Sequence, residues 1–272
     1  MIRLIKRMVP VSLKRNIKQL IPTGRQTKRL FKRLVPASLE RNIKRLIPYY
    51  RDNPGLDCPV CGNHERRFDS FGLIPRPNAQ CPNCIALERH RFAWLFLQKF
   101  TDLFDRKPQR RMLHFAPEPV FLERLSALKH LDYLTADLLD PSAMVQVDIT
   151  NIQFPDESFD ILFCSHVLEH IPDDRRAMRE CFRVLKRSGW AVFQVPVDSE
   201  QTIEASSVID AKEREHFFDQ FGHVRSYGPD FQDRLTEAGF LVTAYRPADI
   251  VHDPERYAIP ATSEPLYYCK KV

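Results

Sequence analysis

The sequence predicts an α/β protein in which a doubly wound, seven-stranded sheet follows a small four-cysteine module and a basic helical arm. Three observations support this. Strand-like and helix-like segments alternate from residue 110 onward, the pattern of a mostly parallel sheet covered by helices. Two Cys-x-x-Cys pairs precede that region, and an internal repeat occupies the first 51 residues. The boundaries that follow are 1–51 for the arm, 52–100 for the cysteine module with its connecting helix, and 101–272 for the sheet domain.

The arm is set apart by charge. Residues 1–51 carry 15 Lys or Arg and a single acid, Glu40, whereas the remainder holds 26 bases against 34 acids. Within the arm, IKRMVPVSLKRNIKQLIP (5–22) returns as FKRLVPASLERNIKRLIP (31–48), a period of 26 residues. In each copy a serine, Ser12 or Ser38, is placed to cap a short helix, and Pro22 or Pro48 stops it. Leu13, Ile17, Leu20 and Ile21 share one face, as do Leu39, Ile43, Leu46 and Ile47 in the second copy, with the cations elsewhere. Helices this short need a partner to fold against. An anionic membrane surface is the expected one, since it takes both the cations and the apolar stripe. A protein partner or nucleic acid is the alternative, and RNA is less suited because the arm offers few aromatics for stacking. No apolar run approaches the length that spans a bilayer, so the expected location is cytoplasmic, peripheral on the inner membrane face.

Cys58-Pro-Val-Cys61 and Cys81-Pro-Asn-Cys84 have the spacing of a zinc ribbon. Four thiolates complete a tetrahedral shell and leave no position for water, so the expected ion is a structural Zn2+ on Cys58, Cys61, Cys81 and Cys84. His64 and His90 are surplus to that set, and Cys164, Cys181 and Cys269 lie among apolar neighbours as core residues. The run IALERHRFAWLFLQKF (85–100) reads as a helix that packs the ribbon onto the next domain. Its Glu88-Arg89-His90-Arg91 start reads as a solvated first turn.

Strands are expected at 111–115, 132–136, 145–147, 159–164, 190–195, 240–245 and 266–270. Phe159 to Cys164 is a buried strand whose open end carries Ser165, His166, Glu169 and His170. Asp173 and Asp174 then begin a helix that Gly189 closes. In such sheets ligands bind at the carboxyl ends of the strands, which makes Asp137 (YLTAD) and Asp148 (VDIT) informative.

The segment FPDESFDILFCSHVLEHIPDDRRAMRECFRVLKRSGWAVFQVP (154–196) resembles the class I S-adenosylmethionine (SAM) dependent methyltransferases of the type 11-like group. The likeness covers about residues 110–272 and implies a Rossmann-like sheet that binds SAM. It places Asp137 and Leu138 at the ribose, Asp148 at the adenine amino group with Ile149 on the ring, and Ser165 beside the cofactor. The first loop departs from the family. Where an acid and a Gly-x-Gly turn are usual, this chain has Leu113-His114-Phe115-Ala116-Pro117-Glu118, without glycine. The expectation is a different loop geometry, in which Ala116 and Pro117 line the cofactor and Glu118 meets its ammonium. That loop, the ribbon and the LERHR run together resemble a subgroup of bacterial methyltransferases.

For the acceptor, the segment 211–231 concentrates His216, His223, Arg225 and Tyr227. His216 or His223, with His166 as a further candidate, is the expected base; Arg225 and Tyr227 are the expected contacts to an anionic acceptor. A glycan or lipid-linked saccharide hydroxyl suits a membrane-held enzyme. RNA methylation and a non-catalytic SAM-fold binding module are the alternatives.

Overall fold

The computed structural model describes residues 55–72, 74–106, 108–207 and 222–272. The basic arm, its repeat and His216 lie outside the described residues. Residues 55–272 form one compact unit.

Two short hairpins open it. Strand β1 (Leu56–Asp57) pairs with β2 (His64–Glu65), and β3 (Asp69–Phe71) with β4 (Arg76–Gln80), both antiparallel. The cysteine turns share a design. Gly62 N–H donates to Cys58 O at 2.8 Å and Ile85 N–H to Cys81 O at 2.9 Å. Gly62 and Ile85 close the turns in the left-handed region, with φ of 70° and 59°. Glycine is at ease there, whereas a β-branched side chain is strained.

Helix α1 (Glu88–Phe100) follows, free of glycine and proline. Its start is closed by a histidine: the His90 ring takes the Leu87 N–H at 3.0 Å, in the manner of a capping box. The first turn is not solvated, contrary to the sequence reading, because Glu88, His90 and Arg91 are all buried. Arg91, 0% exposed, has five N–H groups and five carbonyl partners. It donates to Tyr257 O (2.7 Å), Ala79 O (2.8 Å), Ala86 O (2.7 Å), Asn78 O (3.4 Å) and Ala258 O (2.6 Å). Carbonyls on both sides of Cys81 and a C-terminal loop are thereby tied to one guanidinium. Farther along α1, Phe92, Ala93, Phe96 and Leu97 join the core that includes Met112, Phe163 and Val192 of the sheet. Trp94 stacks on Phe121, and Phe96 meets Tyr245 and Tyr268.

The sheet comprises β5 (Arg110–Phe115), β6 (Leu131–Asp137), β7 (Val145–Gln146), β8 (Phe159–Ser165), β9 (Leu185–Gln194), β12 (Leu241–Tyr245) and β13 (Leu266–Lys270). A further two-stranded sheet pairs β10 (Ile203–Glu204) with β11 (Arg225–Ser226). The large sheet runs β7-β6-β5-β8-β9-β13-β12. β13 is antiparallel to both of its neighbours, and the remaining pairings are parallel. Strand order reverses between β5 and β8, which opens a crevice at their carboxyl ends. All seven expected strands are present. Helix α2 (Pro119–Ser126) follows β5 with proline in its first turn, where a missing N–H costs nothing. Helix α3 (Asp174–Val184) follows β8; Asp173 caps it by accepting Arg176 N–H at 2.9 Å, and Ala177, Met178, Cys181 and Val184 form its buried stripe. Helices α4 (Phe231–Glu237) and α5 (Pro247–Ile250) flank β12. Cys164, Cys181 and Cys269 are core residues, as expected.

Gly189 does not close α3. The helix ends at Val184, β9 begins directly at Leu185, and both the left-handed Ser188 (φ 61°) and Gly189 lie within that strand. A Cβ there would lie 2.8 Å from Lys186 O and 2.9 Å from Asp160 O, so close backbone approach explains the glycine.

Replacing Arg91 with Ala would leave five carbonyls without their donor. A loss of about 3–5 kcal/mol is expected in chemical denaturation. Arg91→Lys should recover little, because three donors on a flexible stem cannot reproduce the fork.

Candidate active site at the open end of the sheet

The glycine-free first loop turns on alanine. Ala116 adopts φ 45° and donates its N–H to Ala136 O at 2.8 Å, so the loop has the left-handed turn that glycine ordinarily supplies. Such a residue costs of order 1–2 kcal/mol and persists only where its surroundings hold it. Pro117 follows it, and Glu118 stands at the N-cap of α2. Glu118 Oε1 accepts from His90 Nε2 at 2.6 Å and from Arg89 at 3.2 Å, while Oε2 is buried with no hydrogen-bond partner. His90 Nδ1 is taken up by the Leu87 N–H, so its proton sits on Nε2 and the ring is neutral. Burial disfavours the Glu118 carboxylate, but the His90 hydrogen bond and the Arg89 charge outweigh it and hold its pKa at about 2. Burial also keeps His90 below the usual histidine range.

Asp137 ends β6. Its Oδ1 accepts the N–H groups of Leu139 (2.7 Å) and Asp140 (2.8 Å), which leaves Oδ2 available, and Leu138 beside it is exposed. Asp148 is exposed and builds a similar turn, taking Thr150 N–H and Oγ1–H, both at 2.8 Å. Ile149 is buried in the core with Val147 and Ile152. Both acids therefore do turn work at strand ends. Ser165 ends β8 in register with Gln194 of β9. Ser165 Oγ and both side-chain polar atoms of Gln194 are buried without partners.

His166, left-handed at φ 54°, lies between two carboxylates. Its Nε2 is 2.8 Å from Glu264 Oε2 and its Nδ1 3.3 Å from Glu169 Oε1. Burial works against the imidazolium, but Glu169 and Glu264 prevail and raise its pKa to about 9. In this arrangement His166 is a cation at neutral pH and holds its proton, which removes it as the resting general base. Beneath the loop, His114 of β5 bonds Tyr133 Oη at 2.7 Å, and burial lowers its pKa to about 4.

Two acceptor-side expectations are corrected. Arg225, 2% exposed, is fully engaged: it donates to Leu168 O (2.8 Å), Ile171 O (2.5 Å) and Pro172 O (2.8 Å), and pairs with Glu204 at 3.1 Å. Tyr227, 1% exposed, donates to Asp174 Oδ2 at 2.8 Å. Both lock the post-β8 turn to β11 and α3 rather than reaching toward an acceptor. His223 lies edge-on to His170, with ring centroids 4.7 Å apart.

At the hairpins, the Cys58 and Cys84 sulfurs lie 3.6 Å apart and those of Cys61 and Cys81 3.8 Å. Tetrahedral bonds of 2.3 Å would place sulfurs about 3.8 Å apart, so the four thiols are spaced for one ion. His64 instead bonds Asp57, at 2.6 Å.

The sequence did not reveal Glu264, which reaches His166 from 98 residues away, or the Arg89-His90-Glu118 cluster. A signal for the latter existed: four ionisable residues opening an otherwise apolar helix.

The Glu118 pairing sets a pH dependence. Its carboxylate titrates lower in the folded chain than in the unfolded one, so it stabilises above about pH 4.5 and that contribution fades as pH falls toward 2. Glu118→Gln should cost about 1–3 kcal/mol at pH 7, and the gap to the parent protein should narrow below about pH 4.5 in denaturation series.

The methyltransferase domain family matches residues 101–193. A curated relative, the uncharacterized methyltransferase YcgJ of Bacillus subtilis (strain 168), is 49% identical over 39 residues, 14% of this chain and 15% of that protein. The match thus spans only about 15% of the relative's length. The crystal structure of YcgJ aligns over 67% of this chain and 99% of its own at 14% identity, with a TM-score of 0.44. A SAM-dependent methyltransferase from Archaeoglobus fulgidus aligns over 68% and 94% at 16% identity, with a TM-score of 0.46. The family match covers the residues that carry β5 to β9 of the seven-stranded sheet, and it supports a class I SAM-dependent methyltransferase domain there.

Proposed function

We propose that this protein methylates a hydroxyl group, on a glycan or lipid-linked saccharide, with SAM as donor and a structural Zn2+ in its four-cysteine module. The observation that carries the reading is the family match over β5 to β9, with Asp137, Asp148, Ser165 and the Ala116–Glu118 loop together at the open strand ends. The orphaned buried atoms there fit a polar ligand: Glu118 Oε2, Ser165 Oγ and the Gln194 amide have no partners in the protein. SAM, when bound, supplies a methyl group on a cationic sulfur.

The chain's own groups then divide the work. Asp137 Oδ2 accepts the ribose hydroxyls, with Leu138 beside it. Asp148 accepts the adenine amino group, and Ile149 backs the ring. Ala116 and Pro117 line the amino-acid portion, and the already ionised Glu118 receives its ammonium. On the acceptor side, His223 or His216 takes the hydroxyl proton, and the His166 imidazolium orients the neighbouring carboxylates. Zinc on Cys58, Cys61, Cys81 and Cys84 is supported by sulfur spacing alone, and it would hold the hairpins against α1. The saccharide acceptor rests on the cationic, amphipathic repeat of residues 1–51, which suits an anionic membrane surface. No helix among the described residues is long and apolar enough to cross a membrane.

Calorimetric titration with SAM should show binding, weakened by about 1–3 kcal/mol in Asp137→Ala; no heat at millimolar SAM would sink the reading. Elemental analysis should give one zinc per chain, lost in Cys58→Ser. For the acceptor, labelled SAM with fractionated cell extract should mark a lipid-linked or glycan fraction. Retention on anionic liposomes should accompany it. Label in RNA instead, with binding that collapses between about 50 and 200 mM salt, would replace the saccharide by nucleic acid.

A further inference from the structure

Outside the cysteine module, a second set of metal-ligating side chains meets at the open end of β8. We propose that Glu169, His170 and His223 form a binding site for a divalent transition-metal ion. Its remaining coordination positions receive an acceptor oxygen, and with His223 on the ion the base role falls to His216; these last clauses rest on the methyltransferase reading, whereas the ion site does not.

Geometry is the first support. One ligand atom from each of the three residues lies within 4.8 Å of the others. In a first coordination sphere with bonds of about 2.0–2.1 Å, adjacent ligand atoms are about 3.3 Å apart, so small side-chain rotations close the set. The second support is a carboxylate with one oxygen unspent. Glu169 is 1% exposed, and its Oε2 has no hydrogen-bond partner. Oε1 meets only the His166 ring, at 3.3 Å. The His166 imidazolium answers Oε1, but the buried Oε2 is left without a donor or a cation, a position an ion would fill. The aromatic contact between His170 and His223 would account for the paired rings. It does nothing for Glu169.

The third support is that the protein fixes the ligands from two distant segments. Val224 N–H donates to Glu169 O at 2.9 Å, so the backbone beside His223 is pinned to the backbone of Glu169 itself. Arg225 holds the same turn through Leu168, Ile171 and Pro172, which makes it a positioning residue for the site. His170 Nδ1 lies 3.4 Å from Gly222 O, a weak outer contact that leaves Nε2 for the ion. Two imidazoles and one carboxylate suit Zn2+, Co2+ or Mn2+. Three protein ligands leave positions open, in contrast to the closed four-sulfur set, and an ion held this way makes a coordinated hydroxyl more acidic.

The test uses the full chain with its cysteine module loaded with zinc. Mn2+ is titrated and the free ion followed by electron paramagnetic resonance; Co2+ is titrated in parallel and followed by its visible absorption. One additional ion per chain is expected. His170→Ala and His223→Ala should each weaken binding at least about 10-fold, with the zinc content and thermal melting unchanged. Arg225→Lys should weaken binding while all three ligands remain. Glu169→Gln should also lose the ion, and if that variant fails to fold the two histidine variants decide. No binding of either ion by the parent protein, or affinity unmoved by both histidine replacements, overturns the site. SAM calorimetry on the same samples separates the two readings. Normal SAM binding without the second ion sinks only the ion site, and ion binding without SAM sinks only the methyltransferase reading.

Discussion

A single guanidinium organises the described part of this protein. Arg91 has no carboxylate within hydrogen-bond reach; its five donors go to backbone carbonyls from the second cysteine turn and from the loop at 257–258. A buried cation of this kind is tolerable only when every donor is matched and the surroundings are electron-rich. Here burial works against the charge, while the Glu88 carboxylate favours it and the Phe68 ring lies 4.8 Å from the guanidinium carbon. The hairpins, α1 and the C-terminal segment therefore share one anchor. That anchor keeps Arg89 and His90 facing Glu118.

Much of the sheet was legible because it obeys a simple rule: parallel strands buried on both faces read as apolar runs closed by polar turn residues. Phe159 to Cys164 is the plainest case, and Asp137 and Asp148 were recognisable as acids at strand ends. The site was only partly legible. Arg225 and Tyr227 looked like acceptor contacts because polar residues in a loop suggest binding, but both are buried and saturated by partners from 21 to 59 residues away in sequence. Local pattern carries no information about such partners. Gly189 misled for a related reason: a glycine after a helix suggests a cap, whereas here it allows two backbone segments to approach.

The open end of the sheet is electrostatically divided. On the β5 side a carboxylate is held ionised by a neutral histidine and an arginine; on the β8 side a histidine is held protonated by two carboxylates. Arg89 influences both sides, since it lowers the proton affinity of Glu118 and of Glu264 alike. The polarity of the crevice is thus fixed before any ligand arrives, which is the arrangement that favours binding of charged groups without later rearrangement.

The neutral His90 ring has a consequence that reaches back to the hairpins. Its two nitrogens are occupied at once, one by the backbone that leaves the second cysteine turn and the other by the acid of the first sheet loop. Only four residues separate Cys84 from Arg89 and five separate it from His90. Whatever stiffens the sulfur cluster will therefore also stiffen the loop that carries Glu118. Linkage makes the relation reciprocal: a ligand that holds the loop must, by the same free energy, steady the sulfur cluster.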